Sequence, residues 1–316
     1  MMPGGVAEKG GHAAVQQVAV QQEVTQQEVA QHDPCYPEGL HRVEQPPERI
    51  CVKGACEVLP TPGLAIVGAR KATPYGLNCA RRFARLAAAR GITVVSGGAI
   101  GCDQAAHTGA LEAGGRTIVV LGCGADIVYP ARGRGLFAQA IAEGGAIVSE
   151  APWGSPPSRW GFRRRNRIIA GIAQATLIVE AGLPSGTFST ADATLAQGKE
   201  VLAVPGSIFA QESRGANRLI SQGAIPIVDD ESFEDALTQI FGLPYAPQCQ
   251  PWPSAPAASA SKHSSAAAGR PAGEDDPRAR ALFVLAQQPL HVEELLGICG
   301  DDVIEVIRCL TSLELA

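Results

Sequence analysis

Long apolar runs are missing from this chain of 316 residues. No stretch reaches the length of about 20 residues that a membrane helix needs, and the opening MMPGGVAEKGGH lacks the apolar core of a secretory signal. Both absences lead to the expectation of a cytoplasmic protein without a membrane segment. Cysteine is present, nine residues in all, but paired metal-ligand spacing is not. Cys51 and Cys56 are the closest pair in sequence, and no second pair follows at a zinc-ribbon interval. Cys79, Cys102, Cys123, Cys299 and Cys309 stand singly in apolar or glycine-rich runs, where a reduced thiol behaves as a small hydrophobe. No metal site is expected.

The motifs of common nucleotide and hydrolytic chemistry are missing too. The first apolar run leads into GARKATPYG, without G-x-G-x-x-G, and the second ends in SGG with no acidic residue for a ribose. There is no P-loop G-x-x-x-x-G-K-[ST] and no G-x-S-x-G elbow. Ser149, Glu150, Glu180 and His107 do not assemble into a catalytic set on spacing. His107 falls mid-helix among alanines, where a packed or hydrogen-bonded histidine is the ordinary reading. Asp103 reads as a helix N-cap after a glycine turn. No cofactor is expected.

What is present is a regular alternation. Short β-branched runs recur as LAIVG, ITVVSGG, TIVVLGCG, AIVSE, TLIVEAG, EVLAVPG and AIPIV, separated by helix-like stretches. Continuously apolar strands separated by helices indicate a parallel sheet covered on both faces. The expected fold is α/β, a doubly wound, mostly parallel Rossmann-like sheet over residues 63–243. Polar and glycine residues gather where these strands end: Gly68 with Arg70 and Lys71, then Ser96, Gly97 and Gly98, then Gly122 and Gly124, and later Ser185 and Gly186. Ligands of open α/β sheets bind at that edge, and converging glycine loops favour an anion.

One stretch stands against the overall charge of −5. GFRRRNRIIAG puts Arg163, Arg164, Arg165 and Arg167 around Asn166, and no acidic residue lies between Glu150 and Glu180. Charge runs are usually solvated faces. Here the arginines sit near a helix N-terminus, where the helix dipole opposes cations. Trp153, Trp160 and Phe162 lie among them, and Trp160 and Phe162 are the expected base-stacking residues. An electrostatic track with interleaved aromatics suits a single strand held without sequence reading.

At this point the motifs carry a resemblance. From Leu64 to about Val228 the chain resembles the DNA-processing protein A family (DprA, also called Smf). The matching motifs, in order, are AIVGARKATPYG, SGGAIGCDQAAHTGAL, LGCGADIVYP, SEAPWGSPP, RNRIIAGIA, VEAGLPSGTFSTA, GKEVLAVPGS and SRGANRLISQGA. The resemblance implies a cytoplasmic protein that binds and protects single-stranded DNA in natural transformation and loads the recombinase RecA, with no assigned catalytic reaction. It also implies DNA contacts at Gly68 and Arg70, at Arg132 after the YP motif, and at Arg165, Asn166 and Arg167. Arg165 and Arg167 are expected to matter most. Arg163 stands where the family has proline, and Gly133 where it has asparagine. A second resemblance, to nucleoside-monophosphate phosphoribohydrolases, rests on EAGLPSGTFSTA. It lacks the acid of P-G-G-x-G-T-x-x-E, with Ala191 near that place.

The flanks differ from this body. Residues 1–33 repeat QQ at low complexity and are expected to be disordered, and 34–62 form a lead-in. Residues 244–277 are a Pro/Ala/Ser-rich linker, and 278–316 resemble a truncated winged-helix-like module. A homodimer is expected through the apolar GANRLISQGAIPIV, with Leu219, Ile220 and Ile225 at the interface, since the sheet edge there would otherwise be exposed.

Overall fold

The computed structural model describes residues 24–244. The module over 278–316, the linker beyond Pro244 and the first part of the low-complexity segment lie outside the described residues.

Among the described residues, nine strands form one sheet: β1 (Gln26–Ala30), β2 (Arg49–Gly54), β3 (Gly63–Val67), β4 (Thr93–Ser96), β5 (Thr117–Leu121), β6 (Ala146–Ser149), β7 (Ala175–Ile178), β8 (Glu200–Ala203) and β9 (Ile225–Pro226). Their order is β1-β2-β6-β5-β4-β3-β7-β8-β9. Strands β3 to β9 pair in parallel, as their continuous apolar sequences require. The chain winds outward from β3 through β4 and β5 to β6, then returns to the other side of β3 and winds outward again from β7. Winding therefore reverses between β3 and β7, and a crevice opens beyond their carboxyl ends.

Helices cover both faces. On one, α1 (Pro74–Ala89), α2 (Cys102–Glu112) and α7 (Asp230–Phe241) bury Phe83, Ala106 and Phe233 against Leu64, Ile66 and Leu202. On the other, α4 (Arg159–Ile172), α5 (Phe188–Leu195) and α6 (Arg214–Ser221) bury Ile168, Ile169, Ala191 and Leu219 against Ala65, Val95 and Ala203. A third cluster joins Phe137 and Ala140 of α3 (Arg134–Ala142) to β5 and β6. Burying a side chain such as Ile168 or Phe233 contributes about 1.5–3 kcal/mol before the entropy of ordering is counted.

Two expectations need correction. The low-complexity segment does not stay disordered to residue 33, because Gln26–Ala30 pairs antiparallel with β2, which pairs antiparallel with β6. An edge strand needs one apolar contact and one set of ladder bonds. Val29 supplies the first, and Glu28 pairs with Arg49 across the ladder at 3.0 Å. The lead-in is thus part of the same sheet. Leu219 is also no interface residue: it is 5% exposed, packed in the chain's own core, and Ile220 and Ile225 are half-buried against the cores on either face.

The interior holds one histidine without its own water-facing edge. His107 is fully buried, with Nδ1 2.7 Å from Thr117 Oγ1. The Thr117 hydroxyl proton already goes to Val94 O, so Nδ1 carries the proton and donates, leaving Nε2 bare and without a protein partner. Burial, with the nearby Arg165 charge, pulls this imidazole down to about 3. Its unfolded value is about 6.5, so the unfolded chain binds more protons in between. Stability is full above about pH 6.5 and is lost as pH falls toward 3, by about 2–3 kcal/mol at pH 4.5. Urea midpoints measured from pH 7 to 4.5 should fall steeply in the natural chain and distinctly less in His107→Gln.

Candidate functional site

The crevice at the winding reversal is a cavity of about 800 Å³. Its walls are the loop after β3 (Gly68, Ala69, Arg70), the loop after β7 (Gly182, Pro184, Ser185, Gly186, Thr187) and the first turns of α4. Helix α4 starts there because Ser158 caps it, its hydroxyl accepting from Gly161 N at 3.0 Å. The helix can lie this close to the sheet because Gly122 and Gly161 meet backbone to backbone. A Cβ on Gly122 would come within 2.8 Å of Phe162 N.

The arginine run divides by helical position. Arg165 is 6% exposed and turns into the protein. Its Nη1 donates to Gly97 O at 2.6 Å and to Val120 O, and its Nε donates to Asn166 Oδ1 at 3.2 Å. It therefore ties the carboxyl ends of β4 and β5 to α4. Gly97 leaves the room, since a Cβ there would collide with the guanidinium. Asp103, buried nearby, is the counter-charge: burial raises its carboxyl and lowers Arg165, and each charge partly offsets the other's shift.

Arg164 and Arg167 turn to Glu150. Arg164 Nη2 donates to Glu150 Oε1 at 2.7 Å and Arg167 Nη2 to the same oxygen at 2.5 Å. Arg163, exposed, lines the cavity with Arg159 and Arg70, and no carboxylate lies within salt-bridge reach of it among the described residues. Arg70 stacks 5.3 Å over Phe162, which lies 5.4 Å from the Tyr129 ring, and Arg164 stacks 4.9 Å over Trp160. Trp160 stays 67% exposed at the rim.

The structure brings Gly68, Arg70, Arg163, Arg165, Asn166, Ser185, Gly186, Trp160 and Phe162 to one cavity, Arg165 at its buried floor. Asn166 braces it, its Nδ2 donating to Ser189 Oγ at 2.6 Å and Gly186 O at 3.3 Å. Lys71 faces an adjoining recess of about 260 Å³ with Arg214, and Arg132 is exposed on the turn Ala131–Gly133 outside both. Ser96, Gly97, Gly98, Gly122 and Gly124 are buried, not open to a ligand. The Ser96 hydroxyl donates to Ile66 O at 2.6 Å, and Gly98 packs on Phe137. Arg165 and Arg167, the cations expected to matter most, are each engaged by internal partners, Arg165 at Gly97 and Val120 and Arg167 at Glu150. Arg159 was missed as a site residue, although Ser158 as N-cap would have placed it in the first turn.

Glu180 has no free carboxylate to offer. It is 2% exposed, and its oxygens accept from Thr73 N at 2.9 Å and Thr73 Oγ1 at 2.6 Å, closing the start of α1. Ala191, where a hydrolase would need its acid, is fully buried in the core. No helix among the described residues is long and apolar enough to cross a membrane.

The fold and crevice define an open, doubly wound α/β protein with a cation- and aromatic-lined site at its winding reversal. Residues 27–239 match the family described as DNA recombination-mediator protein A, and the chain belongs to that family, the DprA/Smf proteins. It is 42% identical over 212 residues to Protein Smf of Escherichia coli (strain K12), covering 67% of this chain and 56% of that one. It is 35% identical over 192 residues to DNA processing protein DprA of Streptococcus pneumoniae (strain ATCC BAA-255 / R6), covering 61% of this chain and 67% of that one. The chain thus spans about half the length of the Escherichia coli relative. Among solved structures, DNA processing protein A from Helicobacter pylori, described with its single-stranded DNA binding mode, superposes with a TM-score of 0.62 at 30% identity. That match covers 69% of this chain and 97% of that one. The Streptococcus pneumoniae DprA structure gives a TM-score of 0.61 at 33% identity, covering 67% and 73%.

Removing the Arg165 side chain strands two buried carbonyls and takes away a positive charge that favours the ionised Asp103. Arg165→Ala should cost about 2–4 kcal/mol in urea unfolding, whereas Arg163→Ala should stay within about 0.5 kcal/mol of the natural chain.

Proposed function

We propose that the chain binds single-stranded DNA in this crevice, with phosphates on Arg70, Arg159 and Arg163 and a base stacked on Trp160. The observation that carries this reading is the grouping of exposed arginines with an exposed indole at one cavity of an otherwise acidic protein. Phosphate contacts position a strand without reading its sequence, and an aromatic face accepts any base. The Helicobacter pylori relative supports the choice of ligand. The strand so held is protected and passed to a RecA recombinase in the cytoplasm, as the family resemblance implies.

The role is binding and not turnover. Glu180 is spent on the α1 N-terminus and Ala191 lies in the core, which argues against glycosidic hydrolysis of a nucleoside monophosphate. Release of free base from AMP, lost in Glu180→Gln, would overturn this.

A homodimer is part of the same proposal. The sheet ends at the two-residue β9, next to the exposed Val228. Light scattering at micromolar concentration should give a dimer mass, and a monomer mass would count against it.

Counterion release sets the sharper expectation. Each lost phosphate contact should lower the slope of log K against log salt by about 0.7 for a single strand. Arg159→Ala with Arg163→Ala should lower it by about 1 to 1.5, equally for strands of different sequence. Trp160→Ala should cost about 1–3 kcal/mol of binding with little change of slope. Fluorescence anisotropy at several salt concentrations reads both; an unchanged slope in a folded double variant would remove the crevice from the account.

A further inference from the structure

The sulfurs of Cys35 and Cys56 stand 2.9 Å apart, joined across a sequence separation of 21. We propose that they form a thiol–disulfide site that reacts with low-molecular-weight disulfides of the glutathione type and closes reversibly into a Cys35–Cys56 bond. The proposal is independent of the DNA reading.

Both sulfurs are held in place before any reaction. Cys35 lies in the turn that follows β1, where Ala30 N donates to Asp33 Oδ2 at 2.6 Å and Tyr36 N to Asp33 O at 2.9 Å. The Tyr36 hydroxyl fixes the turn's end on Pro47 O at 2.6 Å. Cys56 opens the turn Cys56–Val58, which Leu59 N closes on Cys56 O at 3.0 Å, with Val58 and Leu59 buried. Such mutual positioning raises the effective concentration of one thiol at the other far above that of a free thiol. Cys35 is half-buried and Cys56 buried, so a reagent reaches Cys35 first.

Glu57, exposed, is the third donor within 4.8 Å, which raises a metal as the other occupant. Two thiolates on a tetrahedral zinc, each about 2.3 Å from the ion, stand about 3.8 Å apart. The observed contact is shorter, so a metal would have to part the sulfurs, while a bond of about 2.05 Å draws them together. Among the described residues the cluster also numbers three donors, where a structural zinc site has four.

The chemistry balances in two exchanges. The Cys35 thiolate attacks one sulfur of glutathione disulfide and expels glutathione thiolate, leaving a mixed disulfide on Cys35. The Cys56 sulfur then attacks Cys35 Sγ and expels the second glutathione, and the proton of Cys56 leaves with it. Two protein thiols are oxidised and one glutathione disulfide becomes two glutathione thiols. Burial, the neighbouring thiol and Glu57 push Cys56 up to about 12, so Cys56 stays protonated at neutral pH and the first attack falls to the more exposed Cys35. The bond would close a ring around the turn Glu38–Arg42, whose Leu40, with Val43 just after it, packs on Gly171 of α4.

The test uses the full chain equilibrated in buffers of varied reduced and oxidised glutathione, then alkylated and mapped by mass spectrometry. A linked Cys35–Cys56 peptide should appear and vanish with dithiothreitol. Cys35→Ser should give no link at Cys56, and Cys56→Ala should trap glutathione on Cys35. The oxidised natural chain should melt roughly 5 °C higher than the reduced one, a difference absent in Cys35→Ser. Stable glutathione on Cys35 of the natural chain without the linked peptide would overturn the proposal, as would no reaction at Cys35. One zinc per purified chain, lost in Cys35→Ser, would overturn it in favour of a metal.

Discussion

A buried guanidinium organises the crevice. Arg165 reaches from the second turn of α4 to the carbonyls of Gly97 and Val120, where β4 and β5 end, and its own charge is met by the buried Asp103. Carbonyls at the ends of parallel strands have no further ladder partner, and a planar donor with five N–H groups can satisfy several at once. Because this bond system sets the angle of α4 on the sheet, it also sets where the preceding turn projects Arg159, Trp160 and Arg163. Those are the groups that line the cavity rim.

The remaining arginines show how a dense run of like charge is made tolerable in a folded chain. Glu150, from the end of β6, takes Arg164 and Arg167 on one oxygen. One negative charge is thereby shared by two cations and a third cation is buried in hydrogen bonds, leaving Arg163 and Arg159 as charges directed at the cavity beside Arg70. A helix N-terminus is an unfavourable place for uncompensated cations, so an anion seated between them relieves a real electrostatic cost. The aromatic rings serve the same arrangement: Phe162 supports Arg70 and Trp160 supports Arg164, holding long side chains that would otherwise lose more entropy on binding.

Much of this was legible in the sequence, and the exceptions have physical causes. The seven parallel strands could be read because a strand buried on both faces is apolar throughout, as LAIVG and TIVVL are. The edge strand QQEVA could not, since it buries only Val29 and otherwise resembles the low-complexity repeat it ends. Within GFRRRNRIIAG the family motif drew attention to Arg165 and Arg167 as ligand contacts. Helical spacing held the correction: Arg165, Ile168, Ile169 and Ile172 fall at i, i+3, i+4 and i+7, one inward stripe, and all four are buried. The strand-end glycines were legible as a cluster but not in their roles, because a glycine that admits a ligand and one that admits the chain's own side chain look alike in sequence. Gly97 admits Arg165. The thiol contact joins Cys35 and Cys56, a pair that only tertiary structure brings together.

The central claim is a division of labour between one structural arginine and three that meet the ligand. Side-chain Nε–H signals of arginine, followed by nitrogen-15 NMR while a thymidine oligonucleotide is added, test it directly. The account predicts an Arg165 Nε–H that is protected from exchange before and after addition, with large shifts confined to Arg70, Arg159 and Arg163 and to the Trp160 indole. A rapidly exchanging Arg165 that responds most strongly to the oligonucleotide, with the other three unmoved, would contradict it.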